Sequence, residues 1–168
     1  FSMENWKVIL TARRKEKLSK ICNLIGNDSI VSPANTSKKA EVKKAFNYFF
    51  KLTNKIDLAI LNAGIYKSVN CENFNSDIFQ EHMDINYMGV VHSLEQIIPK
   101  MKSQKFGHIV IITSPTGWRG LPKAAAYGPT KSALKNLAQS LRIELEPFGI
   151  KVALLTGKTN KKDFKTSI

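Results

Sequence analysis

The stretch of sequence that decides the fold is residues 107–149, GHIVIITSPTGWRGLPKAAAYGPTKSALKNLAQSLRIELEPFG. A short apolar run at 109–112 leads into Ser114, then a loop punctuated by glycine and proline, and then a long amphipathic helix. Tyr127 and Lys131 stand four residues apart near the start of that helix, so they share one helical face. Ser114 follows the carboxyl end of a parallel strand, where ligands bind in open α/β sheets. The stretch therefore predicts a proton-transfer site built from a hydroxyl, a phenol and an ammonium group.

Strands and helices alternate along the rest of the chain. Apolar runs predict strands at 7–12, 29–32, 57–61, 109–112 and 151–155. Amphipathic periodicity predicts helices at 15–25, 38–52, 77–85 and 87–103, with a fifth that carries Tyr127. This alternation indicates βαβ units and a parallel sheet covered on both faces. We expect one domain over residues 1–168 with a doubly wound α/β fold.

Charge and composition narrow the classes of function. The 168 residues carry a net charge of +13, which would suit a nucleic-acid binder. The lysines are scattered, however, and the nearest approaches to basic clusters are Lys38-Lys39, Lys43-Lys44, and Lys158 with Lys161-Lys162. Near the last cluster only Phe164 is aromatic, which is too little for a platform that stacks bases. We expect a solvated lysine-rich surface and no specific nucleic-acid binding, and a basic nucleic-acid module stays the third alternative.

Cysteine and histidine spacing argues against a metal site. Cys22 and Cys71 are far apart and are expected to be free thiols of a reducing compartment. The three histidines show no ligand spacing. No apolar run approaches the roughly 20 residues that span a bilayer, so we expect a cytoplasmic protein without membrane contact. The chain starts at Phe1 rather than Met, which suggests that residues are missing upstream.

Four motifs occur in a fixed order along the chain. They are Asn62-Ala63-Gly64, then Asn86, then Ser114 with Gly117 three residues on, and finally Tyr127-Gly128-Pro129-Thr130-Lys131. Together they resemble the short-chain dehydrogenase/reductase family, and the likeness covers residues 7 to about 155. The resemblance implies a Rossmann-like fold and hydride transfer between a nicotinamide cofactor and a carbonyl or alcohol substrate. It also implies a homodimer or homotetramer that forms through the helices at 87–103 and 127–146.

The resemblance assigns a role to each member of the catalytic set. Tyr127 would exchange the proton, Lys131 would hold the nicotinamide ribose, and Ser114 would orient the substrate oxygen. Asn86 would hold a water that links Lys131 to solvent. Bringing a phenol pKa from ~10 to neutrality corresponds to about 4 kcal/mol, and a nearby ammonium group favours the phenolate.

Each of these residues has an ordinary structural alternative. The Tyr127 ring could pack on the sheet, and Lys131 could be a solvated surface lysine. Ser114 could cap a turn before Pro115, and Asn86 could cap a helix.

Arg13 and Arg14 carry the cofactor prediction. In dinucleotide-binding folds an acidic residue at the end of the second strand binds the ribose 2′-hydroxyl, whereas arginine accommodates a 2′-phosphate. The strand at 7–12 ends in two arginines, which favours NADP(H) over NAD(H); alternatively they only solvate the strand end. The other expected cofactor contacts are Asn35 near adenine, Asn62, Ala63 and Gly64 after the third strand, and Tyr127 with Lys131.

The sequence also departs from the family at both ends. The glycine-rich phosphate turn and the substrate-covering helices are missing, and of the late Pro-Gly segment only Gly157 remains. In the family strand order 3-2-1-4-5-6-7, the strands at 7–12 and 57–61 would both pair with the absent first strand. We therefore expect this chain to fold marginally and to bind nucleotide poorly. A truncated, non-catalytic scaffold or oligomerisation module is the alternative function.

Overall fold

Five strands and five helices alternate along residues 6–26, 29–72 and 74–157, which a computed structural model of the chain describes. The strands are β1 (Ile9–Leu10), β2 (Ile30–Val31), β3 (Leu58–Leu61), β4 (Gly107–Thr113) and β5 (Ile150–Thr156). The helices are α1 (Lys15–Ile25), α2 (Lys39–Leu52), α3 (Ser76–His82), α4 (Gly89–Gln104) and α5 (Tyr127–Leu145), and a π-helix, Met83–Met88, joins α3 to α4. The order of elements confirms the parallel α/β prediction. The predicted basic cluster at Lys158, Lys161 and Lys162 lies outside the described residues.

The strands form two separate parallel sheets rather than one. β1 pairs with β2, and β3 pairs with β4, which pairs with β5. Both β1 and β2 are two residues long and shorter than predicted, because they pair only with each other, and an isolated pair of strands is marginally stable. Within the described ranges, the second edges of β1 and β3 have no strand partner. The prediction that these two strands lack a common neighbour is confirmed.

A cleft of about 600 Å³ lies between the two sheets. Ile9 and Thr11 line it from β1, and Leu58 and Ile60 line it from β3. Backbone groups on a strand alternate in direction, and amides in and just after β2 donate to the carbonyls of Val8, Leu10 and Ala12. The backbone groups of Ile9 and Thr11 therefore point into the cleft. Helices α2 and α4 also contribute lining side chains, so the cleft has an apolar wall.

The hydrophobic core centres on β4. Its side chains alternate between buried and half-buried, and Ile109 and Ile111 are fully buried. Met101 of α4 and Leu134 of α5 belong to the same core cluster and are also fully buried. A Cβ at Gly107 would overlap the sulfur of Met101, so glycine permits this close packing. The centre of the molecule is therefore tightly packed around β4, whose carboxyl end leads into Ser114.

Two further findings concern membranes and metals. No helix in the described part of the chain is long and apolar enough to cross a bilayer. The described residues also contain no group of three histidine, cysteine or acidic side chains placed to bind a metal ion.

Candidate functional site

The three residues singled out in the stretch 107–149 come together at the carboxyl end of β4. Ser114 directly follows the strand and caps a 3₁₀ turn, Pro115–Gly117, and Tyr127 is the first residue of α5. The turn lies against α5 because Gly117 has no side chain: a Cβ there would be 2.9 Å from the backbone of Lys131. This close approach brings the Ser114 hydroxyl to the Tyr127 phenol. The turn-cap alternative for Ser114 is also confirmed, since its Oγ accepts from the Thr116 amide at 3.4 Å.

Tyr127 is half-buried beside Ser114. Burial raises the pKa of the phenol above its ordinary value, the hydrogen bond with Ser114 lowers it in part, and Tyr66 raises it further. The net direction is upward, because a phenolate loses more hydration than the single hydroxyl restores. In this state Tyr127 is a neutral phenol that can donate a proton.

Lys131 is buried, with 4% of its surface exposed. Its Nζ donates to the carbonyl of Ile112 at 2.9 Å and lies 5.5 Å from the centroid of the Tyr127 ring. The alternative of a solvated surface lysine is therefore wrong. Burial lowers the pKa of Lys131. The site thus holds an ammonium group that is costly to keep charged and stands one helical turn from the phenol.

The expectation that Lys131 lowers the pKa of Tyr127 is wrong for this structure. Burial is the largest influence on the phenol and acts in the opposite direction, and Lys131 is not among the groups that shift it. The ammonium group is directed to the Ile112 carbonyl, which accepts its hydrogen bond. Any lowering of the phenol pKa needs a further positive charge in the site.

Asn86 is fully buried inside the π-helix, so the helix-cap alternative is wrong. Its Oδ1 accepts from the Ile65 amide at 2.7 Å, and its Nδ2 donates to the Ile65 carbonyl at 3.0 Å and to Thr130 Oγ1 at 3.2 Å. Thr130 Oγ1 in turn donates to the Tyr127 carbonyl at 2.7 Å. Asn86 therefore ties the loop after β3 to the first turn of α5. Its predicted role in holding a water stays a prediction.

The predicted cofactor residues also lie at strand carboxyl ends. Arg13 and Arg14 follow β1 and are exposed, and neither forms an ion pair with another described residue. Residues 62–64 follow β3 and are exposed, and a Cβ at Gly64 would be 3.2 Å from Asn86 Oδ1. Asn35 Oδ1 accepts from the amide and hydroxyl of Ser37 at 3.2 and 2.9 Å. To contact adenine, this oxygen would have to release Ser37.

These residues fit the nicotinamide end of a dinucleotide better than its phosphates. Ser114, Tyr127 and Lys131 leave polar atoms where the reacting end of a cofactor and a carbonyl substrate could meet. Between β1 and β3 the sheet is open. Across the described ranges no glycine-rich turn joins a strand to a helix there, and such a turn normally grips the pyrophosphate.

Two aromatic residues at the site were missed from the sequence. The Tyr66 ring meets Tyr127 edge-on at 5.3 Å, and the His82 ring lies 6.5 Å from Tyr127. His82 is fully buried. The four-residue spacing between His82 and Asn86 is the signal that could have linked it to the site. Tyr66 has a weaker signal, its place directly after the Asn62-Ala63-Gly64 motif.

The chain is similar to known oxidoreductases in sequence and in fold. A family model for short chain dehydrogenases matches residues 1–165. An uncharacterized oxidoreductase of Listeria monocytogenes is 32% identical over 153 residues. The match covers 89% of this chain, and the chain spans 62% of the length of that relative. A 3-ketoacyl-(acyl-carrier-protein) reductase from Brucella melitensis, solved with NADH, superposes with a TM-score of 0.85 at 28% identity, covering 89% of this chain and 64% of that one. Serine dehydrogenase from Escherichia coli superposes with a TM-score of 0.86 at 23% identity. The match covers 92% of this chain and 72% of that one, and at this identity it shows the fold alone.

Proposed function

The chain belongs to the short-chain dehydrogenase family, and we propose that it is an NADP(H)-dependent oxidoreductase that interconverts a carbonyl and a secondary alcohol. One observation carries the proposal: Ser114, Tyr127 and Lys131 meet at the carboxyl end of β4. The Listeria relative bears the name of an oxidoreductase, and the Brucella relative that of a 3-ketoacyl-(acyl-carrier-protein) reductase. Both names agree with the proposal.

The three side chains divide the proton chemistry between them. The cofactor, when bound, supplies the hydride and a positive nicotinamide ring after transfer. Tyr127 donates its proton to the oxygen of the reduced carbonyl, and its raised pKa keeps it protonated until then. Ser114 orients that oxygen through its hydroxyl. Lys131 would hold the nicotinamide ribose, and the positive charge that favours the phenolate would come from the bound cofactor.

The preference for NADP(H) rests on the two exposed arginines after β1. A 2′-phosphate carries negative charge, and a guanidinium group can bind it through two parallel hydrogen bonds. Neither Arg13 nor Arg14 has an acidic partner among the described residues, so both are available. The NADH found with the Brucella reductase keeps NAD(H) as the alternative cofactor.

The test is turnover by the purified chain and by Tyr127→Phe. NADPH oxidation is followed with a panel of ketones and aldehydes, and NADPH is raised until the rate saturates so that weak binding does not hide turnover. We expect the wild-type chain to turn over at least one carbonyl and Tyr127→Phe to lose that activity by a factor of about 100 or more. Tyr48→Phe, at an exposed tyrosine of α2, is the matched control and keeps the wild-type rate. Equal rates for wild type and Tyr127→Phe would overturn the assigned role.

A non-catalytic scaffold is the second candidate, and the split sheet favours it. With the phosphate end of the nucleotide site open, the chain could retain only its helix surfaces as functional parts. We propose that these are α4 and α5, and Ile143 on α5 is 73% exposed. Sedimentation analysis separates the candidates: a stable dimer or tetramer without turnover of any carbonyl supports the scaffold.

A further inference from the structure

His82 is a buried titratable side chain to which the proposed proton chemistry gives no role. None of its surface is exposed. The backbone N–H of Lys67 donates to its Nε2 at 3.0 Å, and its Nδ1 lies 2.6 Å from the carbonyl of Ile78, one turn back in α3. Because Nε2 accepts, the proton sits on Nδ1 and donates to Ile78. The two bonds fix a neutral ring in one tautomer and one orientation.

The partner of His82 is a segment, residues 65–69, that leaves β3 and passes beside the site. Lys67 is held twice by neighbouring residues of α3, through its backbone by His82 and through its side chain by an ion pair with Glu81. The contact with His82 involves a fully buried ring, whereas the ion pair is exposed and therefore weak. His82 thus holds the middle of this segment from the protein interior.

Tyr66 lies next to the residue that His82 holds and points toward Tyr127. Its ring meets the Tyr127 ring edge-on at an interplanar angle of 88°. Its hydroxyl donates to the carbonyl of Lys123 at 3.2 Å, and the same carbonyl accepts the Val69 amide at 3.1 Å. Val69 is buried while Tyr66 is 56% exposed. The segment is therefore held at its start by Asn86, at its middle by His82 and at its end by Val69, and it presents one fixed, open aromatic surface at the site.

We propose that His82 is a positioning residue that holds segment 65–69 against Tyr127, and that Tyr66 is a specificity-determining residue for the carbonyl substrate. The Tyr66 ring covers one edge of the Tyr127 phenol. A substrate held at Ser114 and Tyr127 would therefore lie along the open face of the Tyr66 ring. A fixed aromatic face favours flat, unsaturated or aromatic substituents over branched aliphatic ones. The substrate part rests on the proposed function, whereas the role of His82 does not.

The positioning role can be tested without turnover or cofactor. The phenol of Tyr127 is titrated by NMR of ring-labelled tyrosine, with Tyr127→Phe to assign its signal. If the segment excludes water from Tyr127, His82→Ala and Tyr66→Ala each bring the phenol pKa down toward its ordinary value. His82→Gln keeps an acceptor for the Lys67 amide and keeps the raised value.

Two substitutions serve as matched controls in this titration. His108→Ala, on β4, and Tyr48→Ala, on α2, leave the Tyr127 titration unchanged. Tyr66 is exposed, so Tyr66→Ala folds and decides the matter even if His82→Ala does not. An unchanged Tyr127 titration in Tyr66→Ala, or in a folded His82→Ala, overturns the proposal.

The specificity role is tested by kinetics on the same variants. Tyr66→Ala is expected to lower kcat/KM for aromatic ketones about tenfold, the upper end of what an aromatic pair contributes, with little change for small aliphatic aldehydes. His82→Ala is expected to lower kcat for both classes, and His82→Gln to restore it. An equal loss for both classes in Tyr66→Ala refutes the specificity role. A wild-type chain without turnover refutes the proposed function instead, and the titration still decides the role of His82.

Discussion

The continuous sheet β3–β4–β5 and the strand pair β1–β2 are two parallel sheets in one chain with different degrees of support. β4 pairs over seven residues with β5 and over four with β3. The strand pair is two residues long and ends at an open cleft. The catalytic candidates stand on the continuous sheet, and the arginines that would select the cofactor stand on the strand pair. The residues proposed for proton transfer are therefore well supported by the fold, whereas the residues proposed to bind the nucleotide are not.

The largest expected contrast concerns core truncation. Leu134 is fully buried under the continuous sheet, whereas Leu24 on α1, beside the strand pair, is 85% exposed. Leu134→Ala is expected to lower the free energy of unfolding by about 3 kcal/mol, through lost burial and the cavity left behind. Leu24→Ala should change it by less than about 0.5 kcal/mol. Urea denaturation measures both, and equal losses would contradict the contrast.

Amide hydrogen exchange tests the open edge directly. Ala59 faces β4, and its neighbour Ile60 faces the cleft and is 47% exposed. The Ile60 amide should exchange faster than the Ala59 amide by a factor of about 100, equivalent to roughly 2.7 kcal/mol of local protection. Neighbouring residues of one strand provide their own control. Equal protection of the two amides would show that the cleft closes in solution.

The preference for NADPH over NADH should change only when residues at the end of the strand pair β1–β2 are replaced. Arg13→Glu replaces a cation with an anion where a 2′-phosphate would bind, so the ratio of kcat/KM for NADPH to that for NADH should fall about tenfold or more. Lys20→Glu, a charge change of the same size on α1, is the control. A ratio that falls equally in both variants would point to net charge rather than a phosphate contact.

Replacing the buried lysine should make the continuous sheet more stable. Lys131→Met removes an ammonium group that burial disfavours, at the loss of one hydrogen bond, and should raise the free energy of unfolding by about 1 kcal/mol while abolishing turnover. The sign follows from the lowered pKa, since the folded state binds this proton less tightly than the unfolded state. In wild type the penalty is present below the folded pKa and is relieved as pH rises through it. A less stable Lys131→Met would refute this account.

The smallest effect is expected at the ion pair that joins α2 to α4. Lys39 and Glu95 are 2.8 Å apart and exposed, and the hydrogen bond from Lys39 lowers the pKa of Glu95. Its small stabilisation is present above the unfolded pKa of Glu95 and is lost as pH falls through the folded one. In Lys39→Ala the Glu95 carboxyl should titrate closer to its ordinary value, measured by NMR, while the denaturation midpoint stays unchanged. A shifted midpoint would mean that this exposed ion pair contributes measurably to the stability of the fold.

Local patterns predicted the elements and the gathering of Ser114, Tyr127 and Lys131, because helical spacing and strand ends fix those positions. They did not predict the direction of the Tyr127 pKa, because burial depends on Tyr66 and on residues far away in sequence. Nor did they give the hydrogen bonds of Asn86, whose partners come from two other elements. The missing neighbour of β1 was predicted from the family strand order, but the shortness of β1 and β2 was not, because apolar spacing does not show how far two strands pair.

The π-helix Met83–Met88 has a consequence for how this chain tolerates insertions and deletions. A π-helix is an α-helix widened by a residue, and one residue corresponds to about 100° of rotation. Deleting a single residue between His82 and Asn86 would leave a continuous helix but turn Asn86 away from Ile65 and Thr130. Such a frame-preserving deletion, harmless at most exposed positions, would here separate the loop after β3 from α5 although Asn86 and both of its hydrogen-bond partners remained present.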